Sequence, residues 1–345
     1  EAGVLPNGEW VVIFGNGSFS GVGAAKLMVV NLATGSIQKV NVGSGPSNGL
    51  GGVTAIRNAN GEIIKLYAGD MSGKVWRFDY DSSQAARFSL AFSGSPLFQD
   101  SVPSSATPQV ITQPPVIYTH PNGGDLVVFA TGALLTTSDA SSTLTHTIYG
   151  VWDKGTTETF ARPLTRSNLV SRSVGSFTGT GGATFYSVSG ATVTWTGSDR
   201  GWMVDLAFNP GLRTIYPPQR INSNLVLVST VAPAVNVVAC ESELGRGANF
   251  IFDVFTGMAA TYPVFDTNGD AVFDSSDTAA AGTATGADGV DAIVRGQTTC
   301  SGSYCYTRFS VQNTTGQLMI QGREAASTPV IQDRTWRRIL NPPIR

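Results

Sequence analysis

Twelve consecutive residues, Asp266-Thr-Asn-Gly-Asp-Ala-Val-Phe-Asp-Ser-Ser-Asp277, carry oxygen-bearing side chains at positions 1, 3, 5, 9 and 12. A hard cation needs six to eight oxygen ligands, and a tightly turning chain presents alternate side chains inward to supply them. Asp266, Asn268, Asp270, the carbonyl of Val272, Asp274 and Asp277 follow the ligand order of an EF-hand-type calcium loop. Surface turns draw on the same residue types. What sets this segment apart is its four carboxylates, in a chain with only 13% charged residues against roughly 25% in an average domain. Crowded carboxylates repel one another unless a cation sits among them. No Lys or Arg lies between Gly257 and Arg295 to provide that charge, so a calcium ion is the expected cofactor. Magnesium fits less well, because it retains waters and rarely accepts an all-protein cage. Two positions depart from the pattern: Ala271 stands where Gly makes the sharp turn, and Asp277 stands where Glu reaches in bidentately. Asp277 is therefore the least secure ligand, and a nine-residue loop ending at Asp274 is the alternative.

The elements that must hold such a loop are strands. Forty Gly and few Glu or Lys argue against long helices. Five apolar strands end alike: Leu27-Met-Val-Val-Asn31, Lys74-Val-Trp-Arg-Phe-Asp79, Thr147-Ile-Tyr-Gly-Val-Trp-Asp153, Gly201-Trp-Met-Val-Asp205 and Asn249-Phe-Ile-Phe-Asp253. Their terminal Asn or Asp residues are 48, 74, 52 and 48 positions apart, the longest interval containing a Ser/Pro-rich insertion from Ser93 to Pro115. Three are preceded by a second apolar strand: Trp10 to Gly17, Lys65 to Asp70 and Leu126 to Gly132. Thr-Gly turns follow Asn31 and Asp253. A Gly-joined hairpin recurring about every 50 residues predicts an all-β fold, a β-propeller of about six to seven four-stranded blades with loop insertions. The whole chain, 1–345, then forms a single propeller domain cut from a longer protein, with a calcium-binding region inserted at about 262–295. Ring closure would pair Trp10-Val-Val-Ile with Trp336-Arg-Arg-Ile-Leu340. The alternative, an array of β-sandwiches, would repeat nearer 100 residues.

A formal charge of −2 offers no basic surface for phosphates, so nucleic acid is not an expected partner. The longest apolar stretch, Leu225 to Cys240, is interrupted by Ser, Thr, Pro and Asn and falls short of a spanning helix; it reads as two buried strands with a turn. Neither the basic start nor the apolar run of a signal peptide opens the sequence. Cys300-Ser-Gly-Ser-Tyr-Cys305 can close a small disulfide ring, or hold two neighbouring free thiols. A disulfide would place the protein outside the cytoplasm. Cys240 reads as a small buried hydrophobe.

At several of these segments the chain resembles the C-terminal propeller of the PilY-type factors of bacterial type IV pili. The blocks are Trp10 to Gly17, Leu66-Tyr-Ala-Gly-Asp-Met-Ser-Gly-Lys-Val-Trp-Arg-Phe-Asp79, Val128 to Gly132 with Ser138-Asp139, Ile148 to Asp153, the acidic loop, and Trp336 to Leu340. The resemblance implies a calcium-dependent tip-associated factor at the cell surface, pilus tip or outer membrane, or exported to the periplasm. Such a factor supports pilus assembly against retraction, twitching motility and surface adhesion. Its partners would be pilus proteins, minor pilins or the pilus tip, and a host or abiotic surface. The family's calcium ligands map onto Asp266, Asn268, Asp270, the Val272 carbonyl and Asp274. Some members carry an Arg-Gly-Asp triplet, which this chain lacks, so integrin-type binding is not expected. The family's large N-terminal region lies outside these 345 residues, so activity that resides there is not expected of them.

Enzyme chemistry has thinner support, and the chain is expected not to be an enzyme. Quinoprotein dehydrogenases are calcium-bearing propellers with similar Thr-Gly turns, yet their pocket uses adjacent cysteines, and no two cysteines are adjacent here. Gly45-Pro-Ser-Asn-Gly49 matches a serine-hydrolase pattern but lacks the helix that a nucleophile elbow needs after it. His120 and His146 have no neighbour at ligand spacing and read as structural or solvent-facing. Six Trp residues, including Trp76, Trp152 and Trp202, are better explained as blade core than as a lectin-like platform for sugars. Asp288-Gly-Val-Asp291 has too few oxygens to be a second site.

Overall fold

Gly and Asn/Asp turns reverse the chain so often that the computed structural model is built almost wholly from antiparallel strands. It describes the backbone to residue 325, apart from 22, 46–47, 101–108, 157, 159, 233–245, 271, 287–289, 302–303 and 314–317. Side chains are described to residue 285, residue 44 also excepted.

The first sheet runs in order β1 (Ala2–Val4), β2 (Trp10–Gly15), β3 (Ala24–Asn31) and β4 (Ile37–Ser44). The second contains β5 (Leu50–Arg57), β6 (Ile63–Asp70), β7 (Lys74–Tyr80) and β8 (Phe88–Leu90), with the short β9 (Phe98–Gln99) also paired to β7. A third unit begins with β10 (Val116–Thr119), β11 (Asp125–Ala130) and β12 (Thr147–Asp153). After it come the hairpin β13 (Val170–Thr178) and β14 (Thr184–Ser189), then β15 (Gly201–Asp205), which returns to pair with β12. The fourth unit is β16 (Gln219–Arg220), β17 (Leu225–Ala232), β18 (Arg246–Asp253) and β19 (Gly282–Gly286). A parallel β13–β15 contact and an antiparallel β14–β19 contact join units three and four into one ten-stranded sheet. Last comes a separate three-stranded sheet of β20 (Val290–Ser301), β21 (Tyr304–Asn313) and β22 (Leu318–Ala325).

Four of the five repeated strand ends are equivalent. Asn31, Asp79, Asp153 and Asp253 close the second strand of the hairpins β2–β3, β6–β7, β11–β12 and β17–β18, opposite Val11, Lys65, Asp125 and Leu225. The side chain gives the reason for the repeat at three of them. Asn31 Oδ1 accepts from the amides of Ala33 and Thr34, Asp153 Oδ1 from Gly155, and Asp253 Oδ1 from Phe255 and Thr256. Each carboxylate or amide thus caps the turn that follows its strand. Gly35 and Gly257 complete two of these turns at φ 72° and 65°, where a side chain would be strained. The fifth end, Asp205, belongs elsewhere: β15 is the fourth strand of the third unit, with Asp205 opposite Thr147. Its spacing of 52 is therefore not a blade period, and the count of six to seven loses that repeat's support.

Alternate residues of each strand pack to opposite sides, and the cores interleave with the sheets. Leu66 and Ala68 of β6 join Ile13 and Leu27 of the first sheet, while Tyr67 between them joins Phe129 and Tyr149 of the third unit. Val128 and Ile148 of the third unit meet Val226 and Phe250 of the fourth, whose other side, Leu227 and Ile251, packs on Val264 and Phe265. Four units thus stack face to face in chain order, the packing of propeller blades. Trp76, Trp152 and Trp202 are buried within these layers, as the blade-core reading expects. Gly45 to Gly49 leads into strand β5 and not into a helix. Of the apolar stretch, Leu225–Ala232 is a fully buried strand, and 233–245 lies outside the described residues, as does Cys240.

Candidate functional site

The acidic loop hangs on apolar stems. Val264, Phe265, Phe273 and Ala280 are buried, while Asp270, Val272, Asp274 and Ser276 lie on an exposed crest. Below the crest the loop rests on the β13–β14 turn, where the Thr180 amide donates to the Thr267 carbonyl at 3.1 Å. A Cβ at Gly179 would stand 2.6 Å from that carbonyl, so the turn needs glycine to let the loop approach.

Along the crest each acidic or amide side chain folds onto a following amide. Asp266 Oδ1 accepts from Gly269 N at 2.6 Å, Asn268 Oδ1 from Asp270 N at 3.0 Å, Asp270 Oδ1 from Val272 N at 2.8 Å and Asp274 Oδ1 from Ser276 N at 2.8 Å. Asn268 Nδ2 donates to Asp270 Oδ2 at 3.0 Å and to Ser276 Oγ at 2.8 Å. Five of the six expected positions therefore share one short, curled segment. Asp277 behaves differently. Its side chain is buried: Oδ1 accepts from the amides of Thr267 and Asn268 at 2.7 and 3.4 Å, and Oδ2 from the Asp274 amide at 3.1 Å. This residue ties the loop's beginning to its end, a role the sequence pattern did not suggest. Thr267, whose hydroxyl accepts from Thr278 N at 2.8 Å, was missed for the same reason.

The donor set is entirely oxygen, mostly anionic, and solvent-facing, which fits a hard divalent cation. Among the described residues, no three Asp, Glu, His or Cys side chains converge closely enough to form a ready cluster. Binding would draw together carboxylates that now lean on amides. Asp288 is outside the described residues, as are the side chain of Asp291 and all of Trp336 to Leu340. The register sets Cys300 opposite Cys305 in β20 and β21, but the side chains of this expected disulfide also lie outside the described residues.

Both histidines are structural. His120 is buried, stacked on Trp152 at 4.2 Å and edge-on to Trp195 at 4.5 Å, and burial lowers its pKa to about 4. His146 is also buried, its Nδ1 3.4 Å from the Thr131 hydroxyl; burial, then the charge of Arg213, lowers its pKa to about 4.

Two further features escaped the sequence reading. A cavity of about 700 Å³ is lined by β5, β10 and the segment around β16, through Thr54, Ile56, Arg57, Ile117, Pro217 and Arg220. The first strands of three units thus surround a common space, as the innermost strands of propeller blades do. A buried polar network also joins the second and third units, from Lys65, Tyr67 and Arg77 to Asp125 and Asp153. Its signal in the sequence is a lone Arg between Trp76 and Phe78 in an apolar strand.

The PilY1 beta-propeller domain family matches residues 1–187, more than half of the chain. The chain belongs to this family. A type IV pilus biogenesis factor PilY1 of Pseudomonas aeruginosa is 29% identical over 310 residues, covering 79% of this chain and 26% of that protein. A PilY1 homolog of Xylella fastidiosa is 29% identical over 284 residues, 74% of this chain and 18% of that protein. The chain therefore spans about a quarter or less of the length of these relatives. Among solved structures, the crystal structure of the Pseudomonas aeruginosa PilY1 C-terminal domain matches with a TM-score of 0.74 and 26% identity over 93% of this chain and 70% of that chain. The PilY1-type assignment accounts for the blocks that lie within residues 1–187 and for the stacked four-stranded units.

Proposed function

We propose that this PilY1-type propeller is a calcium-binding, non-enzymatic module of a type IV pilus biogenesis factor that works through protein contacts at the bacterial surface. The observation that carries the reading is the coincidence of the family match over residues 1–187 with an oxygen-only acidic loop seated on the fourth unit. Asp266, Asn268, Asp270, the Val272 carbonyl and Asp274 would hold the ion, while Asp277 closes the loop through backbone amides. Bound calcium would supply the positive charge that four neighbouring carboxylates lack. The protein's part is to present those oxygens on a crest whose stems are already fixed by Val264, Phe265 and Phe273. With its charge balanced, the crest becomes a fixed contact surface for minor pilins or another pilus component; without it, carboxylate repulsion opens the crest.

Assembly of pili against retraction, twitching motility and attachment to host or abiotic surfaces are the activities we assign to the longer protein. Its place would be the pilus tip, the outer membrane or the exported periplasmic pool. Among the described residues no helix is long and apolar enough to cross a membrane. Calorimetry of calcium binding to the wild type and Asp274→Ala tests the site, and scoring surface pili in the parent organism carrying the same substitution tests the role. Heat of binding in the wild type that vanishes in the variant, with fewer surface pili, is expected. Equal binding by both proteins would remove the loop from the function.

A further inference from the structure

The two faces of the β13–β14 hairpin have different surroundings. One is covered: Phe177 and Phe185 stack at 5.7 Å, and Phe185 meets Phe265, in the stems of the acidic loop, at 6.2 Å. Ser176, Thr184 and Tyr186 fall on the other face, with Ser176 directly opposite Tyr186 in the register. Together with Phe208 and Asn209, which follow β15, and Arg246 at the start of β18, they line a cavity of about 360 Å³. That volume lies within the roughly 300–1,000 Å³ of small-ligand sites. The walls are fixed in advance, since the hairpin is held from behind by the phenylalanines and Phe208 packs on the core.

The chemistry of the lining is unusual for a wall inside a fold. Tyr186 is 8% exposed, its ring packed on Phe208 at 4.9 Å and on Phe250 at 5.6 Å. A buried tyrosine hydroxyl ordinarily finds a partner within the protein. Among the described residues the Tyr186 hydroxyl has none, and neither do the side chains of Ser176, Thr184, Asn209 and Arg246. Burial raises the Tyr186 pKa, so the hydroxyl remains a donor at neutral pH. No carboxylate lines the cavity, and Arg246 is its one charge.

Three hydroxyls, an amide and a guanidinium beside an aromatic ring call for a ligand with an apolar side, several hydroxyls at its rim and an anionic group. A pyranose bearing a carboxylate meets all three demands. Its ring C–H groups pack on Phe208, its hydroxyls exchange hydrogen bonds with the free side chains, and its carboxylate takes the guanidinium as a bidentate pair. A neutral sugar leaves Arg246 unused, and a peptide carboxylate leaves the hydroxyl-reading groups unpaired. We propose that the cavity formed by Ser176, Thr184, Tyr186, Phe208, Asn209 and Arg246 binds a sugar acid, the uronic or sialic acid residue of a glycan. This contact is separate from the acidic crest and needs no calcium.

Retention of the 345-residue chain on an array of immobilised glycans tests the assignment, in EDTA so that failure of the calcium site leaves the result unaffected. Retention is expected on chains ending in glucuronate or N-acetylneuraminate and not on chains ending in glucose or galactose. Tyr186→Phe keeps the ring in the core and is expected to weaken retention about fivefold, and Arg246→Ala, at an exposed position, about tenfold or more. Far-UV dichroism of both variants is expected to match the wild type. Absence of retention on every acid-ended chain overturns the proposal, as does equal retention on the neutral ones. Equal retention on sulfated chains that lack a sugar acid overturns it by showing simple ion exchange at Arg246. Retention unchanged in both variants overturns it by placing the sugar elsewhere.

Discussion

Arg77 on β7 and Asp153 on β12 meet at 3.0 Å across two sheets, and the side chain of Asp153 is fully shielded from water. The same Asp153 oxygen accepts from the Tyr67 hydroxyl at 2.6 Å, and the remaining guanidinium nitrogens of Arg77 go to Asp79 at 2.8 and 3.1 Å. Burial, reinforced by the charge of Asp153, pushes the Tyr67 hydroxyl well above its usual pKa, so it stays a donor. A buried ion pair contributes little beyond an apolar pair of the same shape, but breaking one leaves a stranded charge. The network therefore fixes how the second and third units sit on each other.

Replacing Asp153 with Ala should destabilise the fold by about 3 kcal/mol, because Arg77 would stay buried with Asp79 as its one remaining carboxylate and the Tyr67 hydroxyl would lose an acceptor. Tyr67→Phe, which keeps the packing and removes one donor, should cost about 1–3 kcal/mol. Denaturant titration with the slope unchanged reads both. A loss below about 1 kcal/mol for Asp153→Ala would mean that water reaches the site and solvates Arg77.

Asp277 and Asp274 should separate loop integrity from ion binding. Asp277→Ala removes the acceptor for three amides. It should lower stability even in chelator, by about 1–3 kcal/mol. Asp274→Ala, on the exposed crest, should leave the chelated protein within about 0.5 kcal/mol of wild type and abolish the rise in Tm on adding millimolar calcium. Equal behaviour of the two variants in chelator would contradict the division of labour between brace and ligand.

Much of this architecture could be read from the chain. Repeated hairpins ending in Asn or Asp are real, because that side chain caps the next turn, and the buried tryptophans sit in the layers where the repeat put them. Spacing alone failed at Asp205: an interval of 52 fits a new blade and also a chain that leaves through the β13–β14 hairpin and comes back to the same sheet. In the loop, the order of oxygens identified the residues that curl together, but not the one that turns inward. The backbone decides that, since Asp277 lies where the amides of Thr267 and Asp274 both point. Nothing local in the sequence marks a contact such as Arg77 with Asp153, 76 residues apart, apart from the oddity of a charge inside an apolar strand.

Trp202 lies between two glycines that have no room for a side chain. A Cβ at Gly150 would be 2.4 Å from the indole, and one at Gly257 would be 2.3 Å from it. Gly150→Ala should push the ring away and weaken the 2.7 Å bond from Trp202 Nε1 to the Val254 carbonyl. A loss of about 1–3 kcal/mol is expected, with a shift in tryptophan emission. Gly257→Ala carries the added strain of φ 65° and should lose at least as much. An unchanged spectrum and Tm for Gly150→Ala would show that the indole has slack the packing does not suggest.

Acid should weaken the fold before its carboxylates titrate. His120 Nδ1 accepts from the Asn122 amide at 3.1 Å, so protonating that nitrogen breaks a bond inside an aromatic stack. With folded pKa values of about 4 against an ordinary 6.5, His120 and His146 stay neutral in the fold while the unfolded chain takes up protons below about pH 6.5. The unfolded state then binds more protons, so stability falls as pH drops from 6.5 toward 4 and levels off below the folded values. Between pH 7 and pH 5 the loss should be roughly 2 kcal/mol per histidine. Asp100, whose pKa burial raises, has the opposite sign, gaining stability as pH falls toward the ordinary carboxylate range, and offsets part of the loss there. His120→Phe keeps a flat ring against Trp152 and removes the proton, so it should flatten about half of the decline in Tm between pH 7 and 5. A decline of wild-type steepness in that variant would move the acid sensitivity away from this stack.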